Sequence, residues 1–102
     1  MERIIRPLKK SDVSPDSEFF PILNQLSKTT DYHNLPFEWL WDTYDNNKNM
    51  HVLVAEKYGK IIGTGSVLIE QKFLRGGGRV GHIEDVVVDN RSREKGTGRA
   101  II

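Results

Sequence analysis

The residues best suited to chemistry lie between Ile83 and Ile102. An apolar run, Val86 to Val88, is followed by a polar turn containing Arg93-Glu94-Lys95-Gly96-Thr97-Gly98, and an apolar segment comes next. Glycines at alternate positions let the backbone approach a ligand closely, and the unpaired amides at a helix start attract anions. Positive charge is concentrated in the same turn, on Arg93, Lys95 and Arg99. The pattern predicts a diphosphate site, although a simple strand-to-helix connection can use glycines in the same way.

Two carboxylates, Glu84 and Asp85, stand directly before the apolar run. Charged groups are costly in an apolar strand unless they are paired or solvated, so the simplest explanation places them at an exposed strand end. The functional alternative is proton transfer, because a carboxylate near an amine can orient it and accept its proton. The sequence has no cysteine and no Ser-His-Asp arrangement with motif spacing, so we expect no acyl-enzyme nucleophile.

A second candidate segment is Lys72-Phe73-Leu74-Arg75, followed shortly by Arg79. Its three cations have the charge needed for a phosphate, and arginine can bind one through two parallel hydrogen bonds. A solvated loop with one aromatic anchor is the structural alternative.

A glycine pattern nearby is misleading. Gly76, Gly78 and Gly81 match G-x-G-x-x-G, but the dinucleotide-binding fingerprint requires a helix after the third glycine. Residues His82 to Val88 have the composition of a strand instead. We therefore interpret Gly76 to Gly78 as a flexible loop near the substrate.

The strand, the R-x-x-G-x-G turn and the following apolar segment together resemble the acetyl-CoA-binding motif of the GNAT acyltransferase superfamily. Within that superfamily, Glu84 to Val88 and Lys72 to Arg75 resemble the E-D-V-V-V strand and the K-F-(I/L)-(H/R) segment of the glucosamine-6-phosphate N-acetyltransferase family. The resemblance runs over nearly all 102 residues and is strongest from Ile69 onward.

The resemblance implies a role for each motif. Glu84, directly or through water, and the Asp85 carbonyl would orient the amine and assist proton loss. Backbone groups of Val86, Val87 and Val88 would pair with the pantetheine arm, while the side chains of Val86 and Val88 pack in the core. The diphosphate would be held by Arg93, Glu94, Lys95, Gly96, Thr97, Gly98 and Arg99. Glu94 departs from the family pattern, since close relatives often have glycine there. The phosphosugar would contact Glu84 and Asp85 together with Ser27, Lys72, Phe73, Leu74, Arg75 and Arg79.

The implied activity is direct transfer of acetyl from acetyl-CoA to the 2-amino group of glucosamine 6-phosphate, a step towards UDP-N-acetylglucosamine. The resemblance also implies a homodimer with residues shared between protomers. Two alternatives stay open: a GNAT enzyme for another amine, which would not need Lys72 and Arg75, and a non-catalytic fragment that binds CoA or a partner. The family's leaving-group acid, a C-terminal tyrosine, has no counterpart among Tyr32, Tyr44 and Tyr58.

Composition narrows the function classes further. The 102 residues are 37% hydrophobic and 28% charged, as expected of one globular domain. Fifteen basic and fourteen acidic residues give a net charge of +1, so no global field favours nucleic acid or a membrane. The three histidines lack ligand spacing, so we expect no metal site. The charged N-terminus and the lack of a long apolar run lead us to expect a cytoplasmic protein.

Four strands are predicted around these motifs: Arg3 to Leu8, His51 to Lys57, Lys60 to Glu70, and about Val80 to Val88. The second and third are joined at Tyr58-Gly59, a hairpin signal. The predicted fold class is α/β (α+β), a mixed, mostly antiparallel sheet with flanking helices.

Three helices complete the predicted order β-α-α-β-β-β-α. The first starts at Ser14 as N-cap and presents an apolar face, the second covers Pro36 to Asn46, and the third begins near Lys95. The face of the first helix consists of Phe19, Phe20, Ile22, Leu23 and Leu26, and that of the second consists of Phe37, Leu40, Trp41 and Tyr44 at helical spacing. GNAT domains continue beyond this third helix, so we expect a single domain, residues 1–102, that is truncated at its C-terminus.

Overall fold

The computed structural model describes residues 3–28, 32–90 and 101. It contains four strands: β1 (Ile4–Pro7), β2 (Met50–Lys57), β3 (Lys60–Gln71) and β4 (Arg79–Val88). The helices are α1 (Phe19–Leu26), α2 (Phe37–Asp45) and the single turn α3 (Leu74–Gly77), with 3-10 turns at Lys10–Asp12 and Tyr32–Asn34. The predicted order of strands and of the first two helices is confirmed. The predicted third helix lies outside the described residues, except for Ile101.

All pairings in the described sheet are antiparallel, in the order β1-β2-β3-β4. The hairpin between β2 and β3 turns at Tyr58 and Gly59, which both have positive φ, 53° and 74°. Such a turn matches the right-handed twist of the flanking strands. The hairpin predicted from this dipeptide is therefore confirmed.

The main core lies between one face of the sheet and the helices. It is formed by Leu8, Val13, Phe19, Ile22, Val52, Val54, Ile61 and Val87. The α2 helix packs on this core through the predicted face, which consists of Phe37, Leu40, Trp41 and Tyr44. The Tyr44 hydroxyl also accepts a hydrogen bond from the Val52 amide at 2.9 Å, which fixes α2 against β2.

The other face of the sheet carries a smaller apolar cluster of Ala55, Ile62 and Ile101. Two glycines of β3 let Ile101 approach the sheet. A Cβ at Gly65 would lie 2.6 Å from Ile101 Cγ2, and one at Gly63 would lie 3.1 Å from Ile101 Cδ1. Because both contacts are shorter than ordinary van der Waals distances, the absence of a side chain at these positions makes the packing possible.

The predicted start of the first helix is wrong. The α1 helix begins at Phe19 rather than after Ser14, whose hydroxyl donates to the Ser11 carbonyl at 3.1 Å. The Ser17 hydroxyl accepts from the Phe19 amide at 3.1 Å and thus satisfies the first helical donor. The helix therefore begins about one turn later than predicted, next to Ser17 instead of Ser14. The predicted apolar face is confirmed except at Leu26, which is 51% exposed.

A charged network ties β1 to the following 3-10 turn and to β2. Arg6 binds both carboxylate oxygens of Asp12, at 2.7 and 2.9 Å, and its Nε donates to Glu56 at 2.7 Å. Burial disfavours the ionised Asp12, but the hydrogen bonds from Arg6 and from the Lys9 amide outweigh it and lower the Asp12 pKa. The network holds a buried carboxylate in its charged form.

Candidate functional site

The described part of the site begins with a β-bulge in β4. Ser66 pairs with Glu84 and Thr64 pairs with Val87, so Asp85 and Val86 together oppose Gly65. Asp85 has φ of 50°, in the left-handed region that aspartate tolerates better than most residues. The bulge changes the direction of the strand at the place where sequence predicted the reacting groups.

The two carboxylate residues at the bulge are exposed. The Ser66 hydroxyl donates to the Glu84 carbonyl at 3.1 Å, which holds the backbone here while the carboxylate meets solvent. The exposure agrees with the simple structural explanation, but the pair lies inside β4 at the bulge and not at a strand end. The exposure also leaves Glu84 able to receive a proton from a ligand or through water.

An apolar cavity of about 120 Å³ lies beside the bulge. Its lining comes from β2, β3, β4 and Ile101, and consists of His51, Leu53, Gly65, Ser66, Val67, Ile83, Val86 and Ile101. Nearly all of its surface is carbon, so it suits a small apolar group better than a charged one.

The placement of the three valines corrects one prediction. The buried core residue is Val87, 7% exposed, whereas the side chains of Val86 and Val88 are only half-buried. The bulge and the alternation of the strand put Val87 on the helix-covered face. Val86 lines the cavity described above.

At the far end of the β3–β4 hairpin, Lys72 and Arg79 line a second cavity of about 270 Å³ with Leu74, Gly78 and Val80. The structure thus brings together two of the predicted phosphate-binding cations. Glu84 is five residues from Arg79 on the same strand, a distance of about 17 Å at the usual rise per residue. The predicted substrate residues therefore form two groups in one chain.

The turn between these strands is more ordered than a simple loop. Gln71 Nε2 donates to the Gly77 carbonyl at 2.6 Å, and the Lys72 amide donates to the Gly78 carbonyl at 2.8 Å. The intervening residues form α3, and Gly76 and Gly77 have positive φ. The glycines Gly76 and Gly77 thus lie in a hydrogen-bonded helical turn that ends at Gly78, and the flexibility of this segment stays a prediction.

Two members of the predicted substrate segment project into solvent. Phe73 is fully exposed and Leu74 is 76% exposed. The side chain of Arg75 lies outside the described residues. Large apolar side chains in such positions add little to the stability of one chain and are accessible to a ligand or a partner.

Glu70 lies next to the second cavity and bridges two neighbours. Its carboxylate oxygens are 3.1 Å from Lys72 Nζ and 2.9 Å from His82 Nε2. Hydrogen bonds from His82 and Lys72 lower the Glu70 pKa and keep it ionised. The sequence did not indicate this group, because His82 becomes a neighbour of Glu70 only when β3 pairs with β4.

The end of α1 approaches the strand end that leads into the predicted diphosphate turn. Gln25 donates to Asp89 at 3.1 Å and accepts from the Asn90 amide at 3.0 Å. Ser27, the predicted sugar contact, is the exposed C-terminal cap of the same helix. The predicted diphosphate residues Arg93, Glu94, Lys95, Gly96, Thr97, Gly98 and Arg99 lie outside the described residues.

The described ranges, 3–28, 32–90 and 101, contain no group of three or more His, Cys, Asp or Glu side chains arranged to bind a metal. Within the same ranges, no helix combines the length and the hydropathy that a membrane crossing requires.

The family model and the sequence relatives that match this chain agree on one family. The model of the acetyltransferase (GNAT) family matches residues 18–102. The chain is 41% identical over 101 residues to glucosamine 6-phosphate N-acetyltransferase of Arabidopsis thaliana, and 41% identical over 101 residues to glucosamine 6-phosphate N-acetyltransferase 1 of Oryza sativa subsp. japonica. These alignments cover 96% of this chain, which spans 66% and 60% of the two relatives.

A solved structure agrees with the sequence relatives. The crystal structure of glucosamine-6-phosphate N-acetyltransferase from Arabidopsis thaliana superposes with a TM-score of 0.87 at 38% identity. The superposition covers 99% of this chain and 69% of the crystal structure. The resemblance inferred from Glu84 to Val88 and Lys72 to Arg75 is therefore confirmed, as is the predicted GNAT fold.

Proposed function

The chain belongs to the GNAT acetyltransferase family, and from this premise we propose that it transfers acetyl from acetyl-CoA to the 2-amino group of glucosamine 6-phosphate. The observation that carries the substrate choice is the pairing of Lys72 and Arg79 at one cavity, next to exposed Phe73 and Leu74. Two adjacent cations suit a phosphate, which an amine substrate without phosphate would not require. The names of the relatives point to the same substrate.

In the proposed reaction, the substrate ammonium first loses a proton to Glu84, directly or through water. The amine nitrogen then attacks the thioester carbonyl, forming a C–N bond, and the C–S bond breaks to release CoA thiolate. When the tetrahedral intermediate collapses, the nitrogen loses a second proton, which reaches the CoA thiolate through solvent. The Asp85 carbonyl, at the bulge where the backbone takes a positive φ, would orient the amine.

We further propose that the acetyl end of acetyl-CoA lies near the bulge. The apolar cavity beside Val86 supports this placement because it fits a small carbon-rich group. The diphosphate would bind the turn from Arg93 to Arg99. No metal takes part in this proposal.

We also propose that the site is completed in a homodimer. The distance of about 17 Å along β4 between Arg79 and Glu84 supports this, because a hexose phosphate is shorter than that separation. The second copy would bring its Glu84 to the Lys72–Arg79 cavity of the first. Exposed Phe73 and Leu74 fit a contact between copies.

The test of the activity is acetyl-CoA consumption with glucosamine 6-phosphate, and with glucosamine as the control substrate. We expect turnover that depends on the phosphate, and a loss of about 10²- to 10⁴-fold in Glu84→Ala. Glu38→Ala, which removes an exposed carboxylate from α2, is the matched control and should retain full rate. CoA binding without turnover would favour the non-catalytic alternative, and equal rates on both sugars would favour another amine.

Mixing two impaired variants, assayed with glucosamine 6-phosphate below saturation, tests the homodimer. If one site uses Glu84 and Lys72 from different copies, Glu84→Ala and Lys72→Ala chains form a mixed dimer with one intact site. Random exchange should then restore about a quarter of the wild-type rate, because half of the dimers are mixed. A mixture as inactive as its components would place both residues in the same site of one chain.

A further inference from the structure

Glu70 is placed to compete with a ligand at the Lys72–Arg79 cavity. It binds Lys72 Nζ at 3.1 Å through one oxygen and His82 Nε2 at 2.9 Å through the other. Lys72 lines the cavity, whereas Glu70 does not. The carboxylate therefore offsets the charge of a phosphate-binding lysine from outside the binding surface.

The competition is reversible because the pair is solvent-exposed. The side chains of Lys72 and Glu70 are 42% and 47% exposed, and ion pairs of this kind are weak. A phosphate carries more negative charge than a carboxylate, so it can replace Glu70 as the ion-pair partner of Lys72. The carboxylate then keeps His82 as a hydrogen-bond partner, and it stays close enough to the phosphate to repel it.

The chemistry of the reaction gives this arrangement a use. Acetylation changes the amine but leaves the phosphate intact, so contacts with the phosphate bind substrate and product equally. Such uniform binding does not lower the barrier of the chemical step, and too much of it slows product release. A carboxylate that weakens phosphate binding therefore speeds product release.

We propose that Glu70 is an affinity-limiting residue that competes with the phosphosugar for Lys72 and thereby speeds product release. This inference rests on the proposed function and adds a residue outside the phosphate-binding surface to it. Glu70 acts on binding alone and takes no part in proton transfer.

The experiment is calorimetric titration of wild type and Glu70→Gln with glucosamine 6-phosphate, N-acetylglucosamine 6-phosphate and glucosamine. We expect both phosphorylated sugars to bind about three- to tenfold more tightly to Glu70→Gln at low ionic strength, with the gain shrinking as salt is added. Binding of glucosamine should not change. Glu38→Gln, with the same change of charge on α2, should leave all three affinities unchanged.

The same substitution made in a Lys72→Gln chain tests whether Lys72 is the residue for which Glu70 and the phosphate compete. In Lys72→Gln, the further change Glu70→Gln should give less than half of the gain seen in the wild-type background. An equal gain in both backgrounds, or unchanged or weaker binding of the phosphorylated sugars by Glu70→Gln, would overturn the inference. If wild type binds glucosamine as tightly as glucosamine 6-phosphate, the proposed substrate fails as well. A retained phosphate preference without the predicted gain rejects the role of Glu70 alone.

Discussion

The β3–β4 hairpin has two ends of opposite physical character. Near the helices, Thr64 is 2% exposed and Val87 is 7% exposed, and both belong to a closely packed interior. At the other end, Phe73 is fully exposed and Lys72 and Arg79 meet solvent around an open cavity. This molecule thus has its stabilising contacts and its proposed binding surface at opposite ends of one pair of strands. Substitutions at the buried end should change the free energy of unfolding, and those at the exposed end should change ligand affinity.

The largest effect should come from the packed end. Ile22 is 1% exposed in the main core, so Ile22→Ala should lower the free energy of unfolding by roughly 2–5 kcal/mol through lost burial and a new cavity. Leu74→Ala at the exposed end should change it by less than about 0.5 kcal/mol. Urea denaturation of both variants measures the contrast. Similar losses in both would remove the distinction between the two ends.

Two carboxylates with lowered pKa, buried Asp12 and exposed Glu70, should differ in the same way. Asp12 is buried against Arg6, so Asp12→Ala should cost about 2 kcal/mol of stability near neutral pH, because Arg6 loses two charged hydrogen bonds and keeps only Glu56 as a carboxylate partner. Because folding lowers the Asp12 pKa, its contribution is present above the unfolded value and is lost as pH falls below about 4. Exposed Glu70→Gln should leave the unfolding curve unchanged. Denaturation series at pH 7 and pH 3 test both points, and a wild-type-to-Asp12→Ala difference that is the same at both pH values would contradict the assignment.

The glycine contacts test packing on the second face. Gly65→Ala should destabilise the fold by about 1–3 kcal/mol, because its Cβ would lie 2.6 Å from Ile101 Cγ2. Gly81→Ala is the control towards the exposed end, where the nearest atom to a Cβ is 3.5 Å away. Thermal unfolding should separate the two variants. If Gly65→Ala is as stable as Gly81→Ala, Ile101 does not pack closely on β3.

The smallest expected effect concerns affinity alone. Lys72→Gln should weaken glucosamine 6-phosphate binding by about tenfold through loss of one charged contact, while glucosamine binding and the unfolding midpoint stay unchanged. Lys60→Gln, an exposed cation at the start of β3, is the matched control. A parallel loss for both sugars would show that Lys72 supports the structure of the turn rather than the phosphate.

Much of the fold could be predicted from local pattern. The apolar period of Phe37, Leu40, Trp41 and Tyr44 predicted α2 and its buried face, and Tyr58-Gly59 predicted the β2–β3 hairpin. The helix start at Ser14 was mispredicted because several serines compete for the cap, and the choice depends on contacts that sequence spacing does not contain. The residue types at Lys72 and Glu84 were sufficient to nominate a phosphate contact and a proton acceptor.

Residue types at short spacing were enough to predict the strands, two helices, the family and the residues that nominate its chemistry. Which groups come into contact depends on the folded chain. Strand pairing brought Glu70 to His82, twelve positions away, and placed Asp85 in a bulge opposite Gly65. The close approach of Ile101 to Gly63 and Gly65 also joins distant parts of the chain. Such contacts depend on the register between strands and on packing across the sheet, and local spacing carries neither.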